Sequence, residues 1–157
     1  MDSTGAQTTP EPLRTAPGFL VRRLYQAYTA AWARHVDPVL TGPQYAVLTA
    51  VSAYPEVDQG SLAAVVALDR STMADVCRRL EDRGLIIRTV APSDGRRKLL
   101  GLTPLGAEVL GGVAARVDRL EGALMRDEGL EPEDDELLLR LELLSRRWET
   151  VCDAERT

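Results

Sequence analysis

SLAAVVALDRSTMADVCRRLEDRGLIIRTVAPSDGRRKLLGLTPLG, residues 61–106, is the stretch that decides the fold. It reads as a short helix, a tight junction and a second helix ending at Gly84, then a strand, an arginine-crowded turn and a second strand. Asp69 is a side-chain acceptor suited to capping the second helix, and Gly84 supplies the left-handed geometry of a helix end. Leu85–Val90 and Lys98–Leu102 are the expected strands. They are joined by APSDGRR, in which Pro92, Asp94 and Gly95 are turn residues. A helix-turn-helix followed by a basic hairpin sets one helix into a DNA major groove and a loop onto the neighbouring backbone. The expected partner is double-stranded DNA.

At about 100° per residue, Met73, Val76, Cys77 and Leu80 share one side of the second of these helices and form its buried face. Cys77 is therefore read as a small core residue and not as a sensor thiol. Ser71, Asp75, Arg78 and Asp82 lie opposite, flanked by Thr72 and Arg79. Hydroxyls donate to phosphate or a base, guanidinium forks match guanine or phosphate, and Asp75 accepts from a cytosine amino group. The competing reading is a solvated face with partners such as Asp75 and Arg79 four residues apart. In the hairpin, Arg96, Arg97 and Lys98 are too crowded for local neutralisation. Asp94 is expected to hold Arg96, leaving Arg97 and Lys98 for phosphates, and such a loop suits a narrow minor groove. The competing reading of the hairpin is a charged solubilising tip.

Outward from this segment the chain is helical. A helix over Pro17–Val36 repeats Leu20, Leu24, Tyr28 and Trp32, with Val21, Tyr25 and Val36 widening its apolar face. Asp37-Pro38 ends it. Thr41 caps a helix that carries Tyr45, Val47, Leu48 and Val51 and stops at Tyr54-Pro55. Asp58 caps the next helix, whose Leu62, Val65 and Val66 are expected to face inward. After the hairpin, Thr103-Pro104 opens a long helix through Leu105, Val109, Leu110, Val113, Val117, Leu120 and Leu124. Glu131-Pro132 interrupts the pattern, and a sixth helix follows through Leu137, Leu138, Leu141, Leu144 and Trp148. The expected fold is mainly α with a small β wing, a winged helix-turn-helix of about six helices and a two-stranded hairpin. Residues 1–16 read as a disordered tail and 17–152 as one domain. Within it, 41–106 form the DNA-binding lobe, and 17–38 and 107–152 are the helices for dimerisation.

The 157 residues are 45% apolar but only 4% aromatic, a composition for a core of packed Leu, Val and Ala. The net charge of −5 is segregated along the chain. Residues 70–98 hold eight basic groups against four acidic ones, net +4, and residues 118–155 hold five against thirteen, net −8. Phosphate binding depends on the local field, so the basic segment is the one that decides. No apolar run approaches the roughly 18 residues of a membrane span, and the N-terminus lacks a secretory pattern. Cys77 and Cys152 are too few for a disulfide framework, which leaves a reducing cytoplasm as the expected location. His35 is the sole histidine, no Cys/His set suits zinc, and no Gly-rich fingerprint follows a strand. Catalysis, a cofactor and a metal are not expected.

With these residues in place, the sequence resembles the MarR family of winged helix-turn-helix regulators over roughly residues 17–150. The resemblance is carried by LDRST at the start of the recognition helix, LEDRGLI at its end, and the wing signature Asp94-Gly95-Arg96 followed by Leu102-Thr103-Pro104-Leu105-Gly106. It implies a homodimer with interlocked terminal helices on a pseudo-palindromic operator. Most members repress a nearby gene and are released by a small molecule, often aromatic and anionic. By position, Ser71, Thr72, Arg78 and Arg79 would meet the major groove and Arg96 would be the wing arginine. The peroxide-sensing branch carries a cysteine on the first helix, and this chain has none between Pro17 and Val36.

The first helix, GFLVRRLYQAYTAAWARH, is also similar to members that recognise aromatic carboxylates. That similarity implies Arg22 as the carboxylate anchor, with Tyr25, Tyr28, Trp32 or His35 lining part of the pocket. The expected function is thus a homodimeric repressor released by a small aromatic or phenolic acid. The alternatives are a regulator without an effector, or one that responds to a larger ligand such as an acyl thioester.

Overall fold

A computed structural model describes residues 8–91, 94–125 and 134–154. The elements are α1 (Glu11–Arg14), α2 (Pro17–His35), α3 (Gly42–Ala53), α4 (Gln59–Val65), α5 (Arg70–Asp82), β1 (Ile86–Ala91), β2 (Asp94–Leu102), α6 (Pro104–Met125) and α7 (Asp134–Ala154). The chain is mainly helical with a two-stranded antiparallel wing, as expected. The additional helix, α1, is a single exposed turn inside the stretch read as a tail. Residues 1–7 and the interruption at Glu131-Pro132 lie outside the described residues.

The chain forms two compact units, residues 1–117 and 118–157, with the boundary inside α6. The first holds the helix-turn-helix and wing. Its core contains Leu40, Val47, Leu48, Val51, Leu62, Met73, Leu80, Ile86 and Leu100. Trp32 closes one side: its ring is buried, its indole N–H donates to the Leu40 carbonyl at 2.6 Å, and it lies against Tyr28 and Tyr45. The second unit contains the end of α6 and α7, where Leu138, Leu144 and Trp148 are exposed.

Local chemistry sets each boundary in the lobe. Thr41 and Gln44 form a capping box at the start of α3, each side chain bonding the other's backbone amide. Asp58 caps α4 and Asp69 caps α5. The recognition helix α5 ends where Gly84 turns left-handed at φ +69°. There the Gly84 amide donates to Glu81 and the Leu85 amide to Leu80, so two carbonyls that the helix leaves open are satisfied.

The Leu-Thr-x-x-Gly signature has a geometric cause. The Thr103 hydroxyl donates to the carbonyls of Gly84 (2.7 Å) and Leu85 (3.1 Å) and accepts the Gly106 amide at 3.0 Å. One side chain therefore starts α6 and ties it to the end of α5. Gly106 must stay bare, because a Cβ there would stand 2.0 Å from the Leu85 carbonyl oxygen.

Two expectations need correction. Val65 is 59% exposed, and Ala63 is buried in its place beside Leu62. At about 100° per residue, Leu62, Ala63 and the half-buried Val66 centre the inner face of α4 roughly 110° away from Val65. Strand β2 begins at Asp94 and not at Lys98, so Arg96 and Arg97 belong to the strand and not to the turn. The register explains this: Val90 pairs with Lys98 but Ala91 with Asp94, so Gly95, Arg96 and Arg97 are extra residues on β2.

Candidate nucleic-acid interface

The recognition helix divides as its sequence angle requires. Met73, Val76, Cys77 and Leu80 are buried, and Ser71, Thr72, Asp75, Arg78 and Arg79 are exposed. Burial pushes the Cys77 thiol up to about 11, which keeps it protonated and unreactive at neutral pH. Asp75 pairs with Arg78 at 3.0 Å, three residues on, where the competing solvated-face reading had named Arg79. Arg79 makes no ion pair among the described residues, so its fork is open to an incoming acceptor.

Ser71 and Thr72 are already engaged. Both hydroxyls donate to the Asp69 carboxylate at 2.5 Å, and both backbone amides donate to Asp69 Oδ1. The Ser71 hydroxyl first, and then that of Thr72, hold the Asp69 carboxyl well below the usual carboxylate range. In this arrangement the two hydroxyl protons are committed to Asp69, which leaves only the oxygen lone pairs to offer a further partner. Donation to a phosphate requires them to leave Asp69.

On the wing, one Arg97 nitrogen, Nη2, donates to Asp58 Oδ2 at 2.8 Å, a partner the sequence reading did not name. Lys98 is exposed and shares a cleft of about 370 Å³ with Arg70, at the start of α5. The expected tie between Asp94 and Arg96 involves side chains outside the described ones. Arg88 pairs with Glu81 through Nε at 2.7 Å and also through Nη2, joining β1 to α5, and this bond holds the Glu81 carboxyl below its ordinary range. The sequence reading did not single out that pair. Seven residues and a left-handed turn separate its members, so no helical spacing announced it.

The expected ligand residues are dispersed on α2. Arg22 is exposed and lies over the Phe19 ring at 5.5 Å. Tyr25 and His35 are exposed, Tyr28 is half-buried, and Trp32 is a core residue with its N–H committed. None of the five lines the apolar groove of about 460 Å³ between α3 and α6. Tyr45, Thr49, Leu110 and Ala114 do so, and the ring contact between Tyr45 and Trp32 connects that groove to α2. The sequence reading gave Tyr45 no ligand role. The groove appears only when α6 packs on α3, and its small residues Ala107 and Gly111 leave the space.

Among the described residues no group of His, Cys, Asp or Glu could hold a metal, and no helix is long and apolar enough to cross a membrane. A half-buried helix with a polar, arginine-bearing outer face beside a basic two-stranded wing defines a winged helix-turn-helix protein. Residues 40–98 match the MarR family. The transcriptional regulator HosA of Escherichia coli O111:H- is 33% identical over 129 residues, covering 82% of this chain and 93% of HosA. The chain belongs to the MarR family of transcriptional regulators.

Among solved structures, the PcaV transcriptional regulator of Streptomyces coelicolor with its natural ligand is 38% identical, with a TM-score of 0.80 over 92% of this chain and 99% of PcaV. The repressor CouR bound to a 23-mer DNA duplex is 29% identical, with a TM-score of 0.78 over 89% of this chain and 99% of CouR. CouR from Rhodococcus jostii RHA1 has also been solved with p-coumaroyl-CoA, at 30% identity and a TM-score of 0.67 over 87% of this chain and 94% of that one.

Proposed function

We propose that the protein is a homodimeric repressor that binds a pseudo-palindromic operator and is released by a small aromatic or phenolic acid. The observation that carries the DNA reading is the division of α5, whose apolar half is locked into the core while Ser71, Thr72, Asp75, Arg78 and Arg79 stand exposed. Arg78 and Arg79 are the candidates for base readout. Arg96 and Lys98 are the candidates for backbone contact from the wing. The similarity to CouR on duplex DNA supports this assignment. Exposed leucines along α2 and α7 supply the apolar surface for a second copy.

For the effector, the similarity to PcaV, solved with its natural ligand, supports a small-molecule response. Arg22 is the proposed carboxylate anchor, because a guanidinium meets a carboxylate with two parallel hydrogen bonds. Tyr25, Tyr28, Trp32 or His35 would line part of the pocket, with Trp32 packed against Tyr28. A second reading, an acyl thioester of an aromatic acid, is favoured by the complex of CouR with p-coumaroyl-CoA. Release requires the ligand to favour a conformation that DNA disfavours, since equal affinity for both shifts nothing.

The test is binding to the DNA beside the protein's own gene, repeated with benzoates, cinnamates and their CoA thioesters, with parallel calorimetry of wild type and Arg22→Ala. Release by a free acid, lost in Arg22→Ala, is the expected outcome. Release by thioesters alone selects the second reading, and unchanged acid binding by the variant removes Arg22 as the anchor.

A further inference from the structure

The Arg97 side chain reaches the start of α4, where Asp58 divides its carboxylate between two tasks. Oδ1 accepts the Ser61 amide at 3.1 Å and caps the helix. Oδ2 accepts the Ser61 hydroxyl at 2.7 Å and the Arg97 guanidinium at 2.8 Å. A backbone tie runs alongside. The Leu100 amide donates to the Val57 carbonyl at 3.1 Å, the Glu56 amide donates to the Leu100 carbonyl at 3.2 Å, and Asp58 bridges Leu99 in antiparallel fashion. The link between α3 and α4 therefore behaves as a short third strand on β2, placed where the register of the hairpin has just jumped. The cleft shared by Arg70 and Lys98 opens beside this bridge.

We propose that Asp58 is a positioning residue for DNA binding: its bridge to Arg97 latches the base of the wing onto α4, and Arg97 is a strut and not a phosphate contact. The latch sets where Lys98 sits across the cleft from Arg70. Helix capping alone does not require a carboxylate at position 58, because Ser, Thr or Asn caps as well. A carboxylate adds what those caps lack, a second acceptor oxygen and a charge for the guanidinium from the wing. The Asp58 side chain is only 19% exposed while that of Arg97 is 54% exposed, so the anchor is fixed and the strut reaches to it through solvent. Bridges this exposed add little to global stability, which confines the effect of the latch to wing geometry.

The proposal rests on the DNA-binding reading for its consequence but not for its geometry, and the test separates the two. Asp58→Asn keeps an oxygen for the Ser61 amide and removes the charge. Its electrostatic effect alone would strengthen DNA binding, because it removes a negative charge near phosphate. A latch predicts the opposite, a loss of about fivefold in operator affinity, with Arg97→Gln similar and the double variant no weaker than the worse single one. In Arg97→Gln the slope of log affinity against log salt stays unchanged, whereas Lys98→Gln lowers it by about one. In the free protein, Asp58→Asn speeds hydrogen exchange at the Leu100 amide and leaves the melting temperature within about 2 °C.

Tighter DNA binding in Asp58→Asn, a reduced salt slope in Arg97→Gln, or a binding loss that tracks a fall in melting temperature would overturn the proposal. If the wild type binds no DNA, the DNA-binding reading fails and the exchange arm decides alone. Faster exchange at Leu100 then supports the latch, and unchanged exchange removes it.

Discussion

In the lobe around the recognition helix, Leu40, Leu48, Leu62, Met73, Leu80 and Leu100 are enclosed by the chain itself. On α2 and α7, by contrast, Leu20, Leu24, Leu138, Leu144 and Trp148 are each 43–56% exposed. The two regions use similar residues at similar helical spacing and reach opposite outcomes. Fully burying one such side chain stabilises by about 1.5–3 kcal/mol, a gain the lobe makes internally and the terminal helices would make only in the proposed homodimer. The lobe encloses its own apolar side chains, and in the proposed homodimer the terminal helices are the part that assembles.

The largest expected effect breaks the second half of that contrast. Leu24→Glu combined with Leu144→Glu should weaken self-association by about a thousandfold or more, since each copy would lose two leucines that the proposed dimer covers and gain charges. Sedimentation of wild type and variant at micromolar concentration checks it. A monomeric wild type would contradict the assignment of these helices to a dimer.

A smaller effect tests the first half. Gly106→Ala drives a methyl group into the Leu85 carbonyl, a clash with backbone that no side-chain rotation relieves. It should cost about 3 kcal/mol and lower the melting temperature by roughly 6–12 °C, with dimerisation unaffected. Thermal unfolding together with sedimentation separates the two outcomes.

The smallest effect concerns acid. Asp69 is held below the ordinary carboxylate range by the Ser71 and then the Thr72 hydroxyl. A carboxyl whose value is depressed by folding contributes fully above its unfolded value, near about 3.9, and loses that contribution as pH falls toward the folded value. Asp69→Asn keeps a capping oxygen, so the variant should be less stable than wild type at neutral pH and approach it below about pH 3. A melting-temperature difference that is constant with pH would contradict this.

The elements that the sequence made legible are those governed by near neighbours. The caps at Thr41, Asp58 and Asp69, the stop at Gly84 and the buried face of α5 each depend on residues within one or two turns, and each stands where it was expected. Val65 was misplaced because a two-turn helix has too few residues to fix its inner face by periodicity. The wing was legible in type but not in register, and register decided the fate of Arg97. Its partner is 39 residues away, a distance over which charge alone selects no pairing. The α3–α6 groove with Tyr45 was hidden for a related reason, since it exists only where two helices distant in sequence meet around small side chains.

The central claim is that the exposed half of α5 reads DNA from a two-fold assembly. Footprinting on the DNA beside the protein's own gene tests it most directly, with wild type and Arg79→Ala compared at low and moderate salt. The account predicts two protected patches centred about one helical turn apart, weakened by salt and reduced in affinity by roughly 1–3 kcal/mol in Arg79→Ala. A single unsymmetrical patch, or protection that neither salt nor the variant changes, would contradict it.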